Sequence, residues 1–195
     1  MQKTATFILK LIGWKISGRL PDDVKKAVLI QAPHTSLWDF VIGKLAFWFY
    51  GYDVKLLIKK EAFKPPFGWL LKKMGGIPVN RKKNEKMVDA VARMFDEHDS
   101  LILVITPEGT RKRVDHWKRG FYYIALKSNV PVVLGYIDYP NKWGGIGKIF
   151  YPTGDFEKDF KEIEDFYRGF RGKHPERFNL YDPAHPDGPK EIPVP

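Results

Sequence analysis

Three uninterrupted apolar runs constrain the fold of this chain more than any other feature of its sequence. They are Ala27–Ala32 (AVLIQA), Leu101–Thr106 (LILVIT) and Val130–Ile137 (VPVVLGYI), and each is short and rich in β-formers. Helical patterns lie between them, among them Ser36–Tyr50 and Asn84–His98. Strands that are buried on both sides and joined by helices are typical of a mostly parallel sheet. The sequence therefore predicts an α/β fold whose sheet is covered by helices on both faces.

The 195 residues are enough for one domain, which we place at residues 1–171. Residues 1–20 begin with an amphipathic helical pattern whose apolar face is predicted to reach Ile16. This pattern fits a helix packed on the core and an anchor at a membrane interface equally well. Because Lys10 interrupts the apolar stretch, we expect neither a membrane span nor a signal peptide. Residues 172–195 are rich in proline and are predicted to form a tail that is extended on the surface or disordered.

Charge and composition narrow the class of partner. The chain has 33 Lys and Arg against 23 Asp and Glu, a formal net charge of +10, and 15% of its residues are aromatic. This combination favours an anionic membrane surface, a phosphorylated substrate or nucleic acid. No nucleic-acid recognition signature is present, so nucleic acid is not expected. The chain lacks cysteine and its five histidines have no metal-ligand spacing, so the sequence predicts neither a metal nor a cofactor.

The first predicted strand end carries a histidine and an aspartate. His34 follows the strand, Ser36 is a good helix N-cap, and Asp39 falls in the first helical turn. Side chains in that turn lean back toward the helix start, so the Asp39 carboxylate can reach the His34 ring. Such a carboxylate fixes the tautomer of a histidine base. Ser36 and Asp39 also fit a simple capping box, and on spacing alone that interpretation is favoured.

No protein nucleophile accompanies His34. Cysteine is absent, and Ser36 is better used as the cap. If His34 is a base, the simplest substrate therefore supplies its own nucleophile, such as a hydroxyl group.

Two further segments offer phosphate ligands. After the second buried strand, Glu108 precedes Gly109, Thr110 and Arg111, where a flexible backbone, a hydroxyl and a guanidinium lie in sequence. A tight turn with a solvated arginine fits the same residues, and the spacing of a P-loop is absent. Near the ends of two short strands, Lys59 and Arg81 are also placed to meet an anion. These basic residues are candidate ligands for a phosphorylated substrate.

Four segments in order resemble the glycerophospholipid acyltransferases, whose best-known members are the 1-acylglycerol-3-phosphate acyltransferases. A histidine followed by four residues and an aspartate lies in the PHTSLWD segment, and a second motif ending in Arg81 resembles GGIPVNR. The third is the Pro-Glu-Gly-Thr-Arg segment, and the fourth is the strand VPVV. The stretch from Lys59 to Lys73, with its FGWLL segment, is also similar, so the resemblance covers about residues 27–137.

The resemblance implies roles for these residues. His34 takes a proton from a glycerol hydroxyl, Asp39 orients His34, and the hydroxyl attacks the thioester of an acyl-CoA or acyl-carrier protein. In addition, the resemblance implies that the acceptor is bound by Arg81, Gly109, Thr110 and Arg111 and that Glu108 shapes the site. Lys59, which is basic and near a strand end, is a further candidate substrate-binding residue. The expected partners are thus a lysophospholipid, an acyl thioester as co-substrate, and an anionic membrane surface.

The acceptor stays open at this stage. The chain is short for the family and unusually basic after Arg111, so another lipid hydroxyl, such as that of a lyso-ornithine lipid or glycerol, is an alternative. A non-catalytic module that binds anionic lipid or nucleic acid is a second alternative. The expected location is the cytoplasmic face of a membrane, as a peripheral or monotopic protein.

Overall fold

The computed structural model describes residues 1–66, 68–79 and 84–181, without the side chains of residues 84–86. The helices and strands of these residues, in chain order, are α1 (Gln2–Leu11), β1 (Lys15–Ser17), β2 (Lys26–Ala32), α2 (Leu37–Tyr50), β3 (Val54–Lys59), α3 (Gly68–Lys73), β4 (Gly76–Val79), α4 (Asn84–Asp96), β5 (Leu101–Ile105), α5 (Gly120–Lys127), β6 (Val132–Asp138), β7 (Trp143–Phe150) and α6 (Phe156–Tyr167). Short 3₁₀ turns cover Lys60–Phe63 and Pro175–Arg177.

The strands form one mostly parallel sheet. Its order is β1-β7-β6-β2-β5-β3-β4, and every neighbouring pair is parallel except β6 with β7. The five strands from β6 to β4 therefore run in the same direction and end at one edge of the sheet. In sheets of this kind, ligands bind beyond that carboxyl edge. The predicted fold class is confirmed.

Helices cover both faces of the sheet. Alternate residues of β2 point to opposite sides, so Val28 and Ile30 join one apolar cluster while Ala27 and Leu29 join another. The larger cluster contains α4, α5 and α6, and the other face is covered by α2. This double burial explains why the strand sequences are continuously apolar instead of alternating.

The predicted amino-terminal helix is present, but it is shorter than predicted. Helix α1 ends at Leu11, Gly13 adopts a φ of +77°, and the chain then enters the edge strand β1. Ile16 lies in that strand, so its assignment to the helix face is wrong. Ala5 and Leu9 are buried against α2, whereas the opposite side of α1 is exposed. None of the helices in the described ranges is long and apolar enough to span a membrane.

The carboxyl-terminal segment also differs from the prediction. Helix α6 ends at Tyr167. The chain then continues to Phe178, whose side chain is fully buried in the larger apolar cluster. Nearby, the indole of Trp117 donates a hydrogen bond to Asn179 Oδ1 at 2.9 Å. The predicted surface tail is therefore wrong over residues 172–181, because apolar side chains spaced between prolines fill the core. The remaining tail residues, 182–195, lie outside the described residues.

Candidate active site

The loop between β2 and α2 places two predicted site residues at the carboxyl edge of the sheet. Ser36 caps helix α2, and its Oγ accepts a hydrogen bond from Trp38 N at 3.2 Å. Asp39 completes the capping box by accepting from Ser36 N at 2.7 Å. The helix start is therefore fixed by local hydrogen bonds, as the sequence predicts.

The Asp39 carboxylate also faces His34. It is completely buried, and its Oδ2 lies 3.4 Å from His34 Nδ1 while accepting from Thr35 N at 2.6 Å. Its Oδ1 accepts a hydrogen bond from Tyr139 Oη at 2.7 Å. The separation from His34 is that of an ion pair rather than a short hydrogen bond, and such contacts often tighten when substrate binds. Capping and contact with His34 are thus properties of the same carboxylate, not alternatives.

Glu108 supports the same histidine from the other side. Its Oε1 accepts a hydrogen bond from His34 N at 2.8 Å, and among the described residues no group hydrogen-bonds its buried Oε2. Burial raises the pKa of Glu108 to about 8, with a smaller contribution from the negative charge of Asp39. At neutral pH the side chain is therefore mostly an uncharged acid.

The segment that follows Glu108 turns sharply. Gly109 has a φ of +68°, a left-handed conformation that glycine adopts without strain, and its N donates to Thr106 O at 3.0 Å. This turn carries Thr110 and the exposed Arg111 away from the strand. Glu108, Gly109, Thr110 and Arg111 are thus brought to the edge where His34 lies.

One of the predicted residues, Lys59, is not brought into this group. Lys59 is exposed at the end of β3, with β5 between its strand and β2. It lies at the same edge of the sheet, but it lines neither of the two cavities bounded by described residues near this loop. Arg81 lies outside the described residues.

The first of these cavities, which we call the apolar cavity, has a volume of about 610 Å³. It lies under α4 and α5, and Thr106 and Gly109 form part of its wall. Most of the wall is hydrocarbon, and the apolar side chains are Leu57, Val79, Met87, Val88, Ile105, Phe121 and Ile124. Its volume and lining are those of a pocket for an apolar ligand.

The second, which we call the basic cavity, has a volume of about 560 Å³ and lies on the other side of the same loop. It is lined by the start of α2 together with Thr110, Lys112 and three residues of the carboxyl-terminal segment. Its cationic side chains are Arg111, Lys112, Lys173 and Arg177, and no acidic side chain of the described residues lines it. The residues around His34 thus separate an apolar space from a cationic one.

Sequence reasoning missed Tyr139 and the carboxyl-terminal cations. Tyr139 follows β6 directly, so examining the end of the third buried strand would have found it. No motif or spacing marks Lys173 or Arg177, because their position depends on how the segment after α6 crosses the sheet.

Comparison with known proteins identifies the family. Residues 15–137 match the family model described as Acyltransferase, which is more than half of the chain. The chain therefore belongs to the acyltransferase family and is an acyltransferase enzyme.

A solved structure shares the fold. The crystal structure of the 1-acyl-sn-glycerophosphate (LPA) acyltransferase PlsC from Thermotoga maritima matches with a TM-score of 0.56 and 18% sequence identity. The match covers 85% of this chain and 74% of that chain. No curated protein matches the sequence. The predicted membership of an acyltransferase family is confirmed, and the solved structure shows that the fold is shared.

Proposed function

We propose that this acyltransferase transfers a fatty acyl group from a thioester donor, acyl-CoA or an acyl-carrier protein, to a hydroxyl of a lysophospholipid such as 1-acylglycerol-3-phosphate. The observation that carries the proposal is the contact of His34 with a buried, fully hydrogen-bonded Asp39 between an apolar and a cationic cavity. Such a pair suits proton abstraction from an alcohol. The activity named for the Thermotoga maritima protein agrees with this substrate class.

In the proposed mechanism His34 acts first as base and then as acid. With Nδ1 facing Asp39, the Nε2 atom takes the hydroxyl proton while the hydroxyl oxygen bonds to the thioester carbonyl carbon. Collapse of the tetrahedral intermediate breaks the C–S bond, and the sulfur leaves with the proton of the imidazolium. The products are an ester and a thiol, so the step needs no metal, cofactor or covalent enzyme intermediate.

The two cavities suit the two ends of the reactants. The hydrocarbon wall of the apolar cavity favours an acyl chain, because burying each methylene stabilises the complex by about 0.8 kcal/mol. Arg111 on the opposite side favours the phosphate of the acceptor, since guanidinium groups bind phosphate through two parallel hydrogen bonds. The acyl group and the phosphate would then approach His34 from opposite sides of the 106–111 loop.

We also propose that the active-site edge contacts an anionic membrane surface. On α1 and α2, four apolar side chains are more than half exposed, Phe7 (66%) and Leu11 (74%) on α1 and Leu37 (68%) and Trp38 (55%) on α2. The end of α1 and the start of α2 meet at this edge through Tyr139, whose ring packs on Trp14 and whose hydroxyl binds Asp39. Apolar insertion beside basic groups is the pattern of an interfacial anchor.

Vesicle flotation in high salt tests this surface. The double variant Phe7→Ser/Leu11→Ser is expected to lose most of the binding that wild type retains when screening removes the electrostatic attraction. Leu126→Ser, at an exposed leucine of α5, is the matched control. Equal binding of wild type and the double variant in high salt would exclude α1 as the anchor.

Acyl transfer itself is tested with purified protein, 1-acylglycerol-3-phosphate and acyl-CoA or acyl-carrier protein. The reaction is measured by thiol release and by mass spectrometry of the lipid product. A mixture of acceptors, including lyso-ornithine lipid and glycerol, then identifies the preferred hydroxyl. His34→Ala is expected to lower kcat by about 10³-fold with an unchanged fold.

The matched control is His98→Ala. His98 is exposed, and its Nδ1 lies 2.8 Å from the carbonyl oxygen of Met94 in the last turn of α4. Equal turnover by wild type and His34→Ala would show that His34 is not the base. Transfer only to a non-phosphorylated acceptor would replace the proposed lysophospholipid while keeping the mechanism.

A further inference from the structure

Residues 171–177, which we call the C-terminal strap, pack directly on the loop that carries His34. Gly172 faces Thr35 so closely that a Cβ atom on it would lie 2.5 Å from Thr35 Oγ1. The same Oγ1 accepts a hydrogen bond from His174 N at 3.2 Å. Because Thr35 is completely buried beneath these contacts, the strap is held in one position relative to the catalytic loop.

The strap turns two cations toward the basic cavity. Arg177 donates to the Thr35 carbonyl at 3.4 Å and approaches Glu176 Oε1 at 3.5 Å, so its guanidinium has donors in excess of these partners. Lys173 lies over the ring of Trp38, with Nζ 5.3 Å from the ring centre. Both side chains line the cavity together with Arg111, which comes from the loop after β5.

Cations that converge from separate segments repel one another unless an anion lies between them. Arg111, Lys112, Lys173 and Arg177 belong to two segments more than 60 residues apart in sequence, and they line one cavity of about 560 Å³. The cavity is continuous with the first turn of α2, whose backbone N–H groups favour negative charge. A phosphate group satisfies both requirements, since it is anionic and accepts several hydrogen bonds.

We propose that Lys173 and Arg177 of the C-terminal strap bind the phosphate of a substrate and complete the site together with Arg111. This proposal deepens the proposed function and rests on it for the identity of the substrate. The phosphate can belong to the acceptor headgroup or to the CoA of the donor, and the chemistry of the site is the same for both. The strap is then part of the substrate site, although it lies outside the residues that match the family model.

Steady-state kinetics of Lys173→Gln, Arg177→Gln and the double variant test the proposal. The double variant is expected to raise KM for one phosphate-bearing substrate by about 10-fold or more with little change in kcat. The reason is that each substitution removes a charge-assisted hydrogen bond to the phosphate. A rise for 1-acylglycerol-3-phosphate assigns the acceptor phosphate, and a rise for acyl-CoA assigns the donor. Unchanged KM for both substrates overturns the proposal.

Two comparisons separate phosphate binding from a merely structural role of the strap. At saturating acyl-CoA, turnover of 1-acylglycerol, which lacks the phosphate, should be unaffected by the double variant, and Lys173→Arg should keep most of the affinity that Lys173→Gln loses. An equal loss with 1-acylglycerol at saturating acyl-CoA overturns the proposal, because it would mean that the strap only supports the loop. Lys161→Gln, at an exposed lysine of α6, is the matched control.

Direct binding distinguishes this proposal from the proposed function. Glycerol 3-phosphate and CoA serve as probes in titration calorimetry, which requires no turnover. If wild type transfers no acyl group to any acceptor, the proposed function fails, and the strap proposal is then decided by binding alone. Weaker binding of either probe to the double variant supports the strap site, and equal binding overturns it.

Discussion

The apolar and basic cavities are similar in size but opposite in what their walls offer. One encloses about 610 Å³ with mostly aliphatic and aromatic side chains, and the other encloses about 560 Å³ with four cations. The loop from Thr106 to Arg111 separates them, and its Glu108 holds the backbone of His34. The difference suits the proposed mechanism, in which one imidazole serves two reactants, because each cavity favours a chemical group that the other disfavours.

A substitution confined to the apolar cavity should have the largest effect on selectivity. Val88→Phe places a ring in the space proposed for the acyl chain, so kcat/KM for long-chain acyl donors is expected to fall by about 10-fold or more relative to short-chain donors. Competition between donors of different length measures this ratio. Leu126→Phe, on an exposed part of α5, serves as control. A uniform loss at every chain length would argue against an acyl-chain site.

A substitution at Tyr139, which follows β6 and lines neither cavity, should affect turnover and leave both cavities unchanged. Tyr139→Phe removes the donor to Asp39 Oδ1, so the carboxylate is held less firmly and His34 is positioned less well. We expect kcat to fall by about 5- to 20-fold with KM for both substrates unchanged. Tyr151→Phe, at an exposed tyrosine away from both cavities, is the control. A change in KM alone would contradict a positioning role for Tyr139.

The smallest change in activity is expected for Glu108→Gln, which keeps an acceptor for His34 N and resembles the neutral acid. Its effect should appear in stability. The pKa of Glu108 is about 8 in the folded chain, compared with its ordinary value of 4.5. Between these two pH values the folded chain therefore keeps a proton that the unfolded chain releases. The contribution of Glu108 to the free energy of unfolding is therefore fully present below about pH 4.5 and is lost as the pH rises toward 8.

Urea unfolding at pH 5 and pH 8 measures this loss. Wild type should lose a few kcal/mol of unfolding free energy that Glu108→Gln retains, since one pKa unit corresponds to about 1.4 kcal/mol. Glu97→Gln, at an exposed glutamate, should follow wild type. Parallel pH profiles for wild type and Glu108→Gln would show that the carboxyl is not protonated in the folded chain.

Much of the active site is predictable because it is local in sequence. Ser36 and Asp39 are three residues apart, so a capping box and the backward lean of helical side chains place the carboxylate beside His34 without knowledge of the rest of the fold. The same reasoning fails for Tyr139. Its contact with Asp39 spans 100 residues and depends on the pairing of β2 with β6, where Ala32 lies opposite Tyr136.

The errors at the two ends of the chain have a related cause. Ile16 is apolar and is spaced like a residue on the buried face of α1. However, α1 ends before Gly13, and the residues that follow pair with β7 as a strand. Phe178 lies between prolines in the sequence, yet it is fully buried in the core, where its ring lies near the ring of Trp117. In both places tertiary contacts outweighed local pattern, as they often do for short segments.

The sequence by itself determined the doubly covered parallel sheet and the helix cap, and it put the Asp39 carboxylate within reach of His34, because hydrophobic period and hydrogen bonding over a few residues are local properties. Only the tertiary structure decided which distant groups join them. Strand pairing brings Tyr139 to Asp39, and packing of Gly172 on Thr35 brings Lys173 and Arg177 to the basic cavity. Contacts of this kind depend on close packing across the whole core, which no short stretch of sequence encodes.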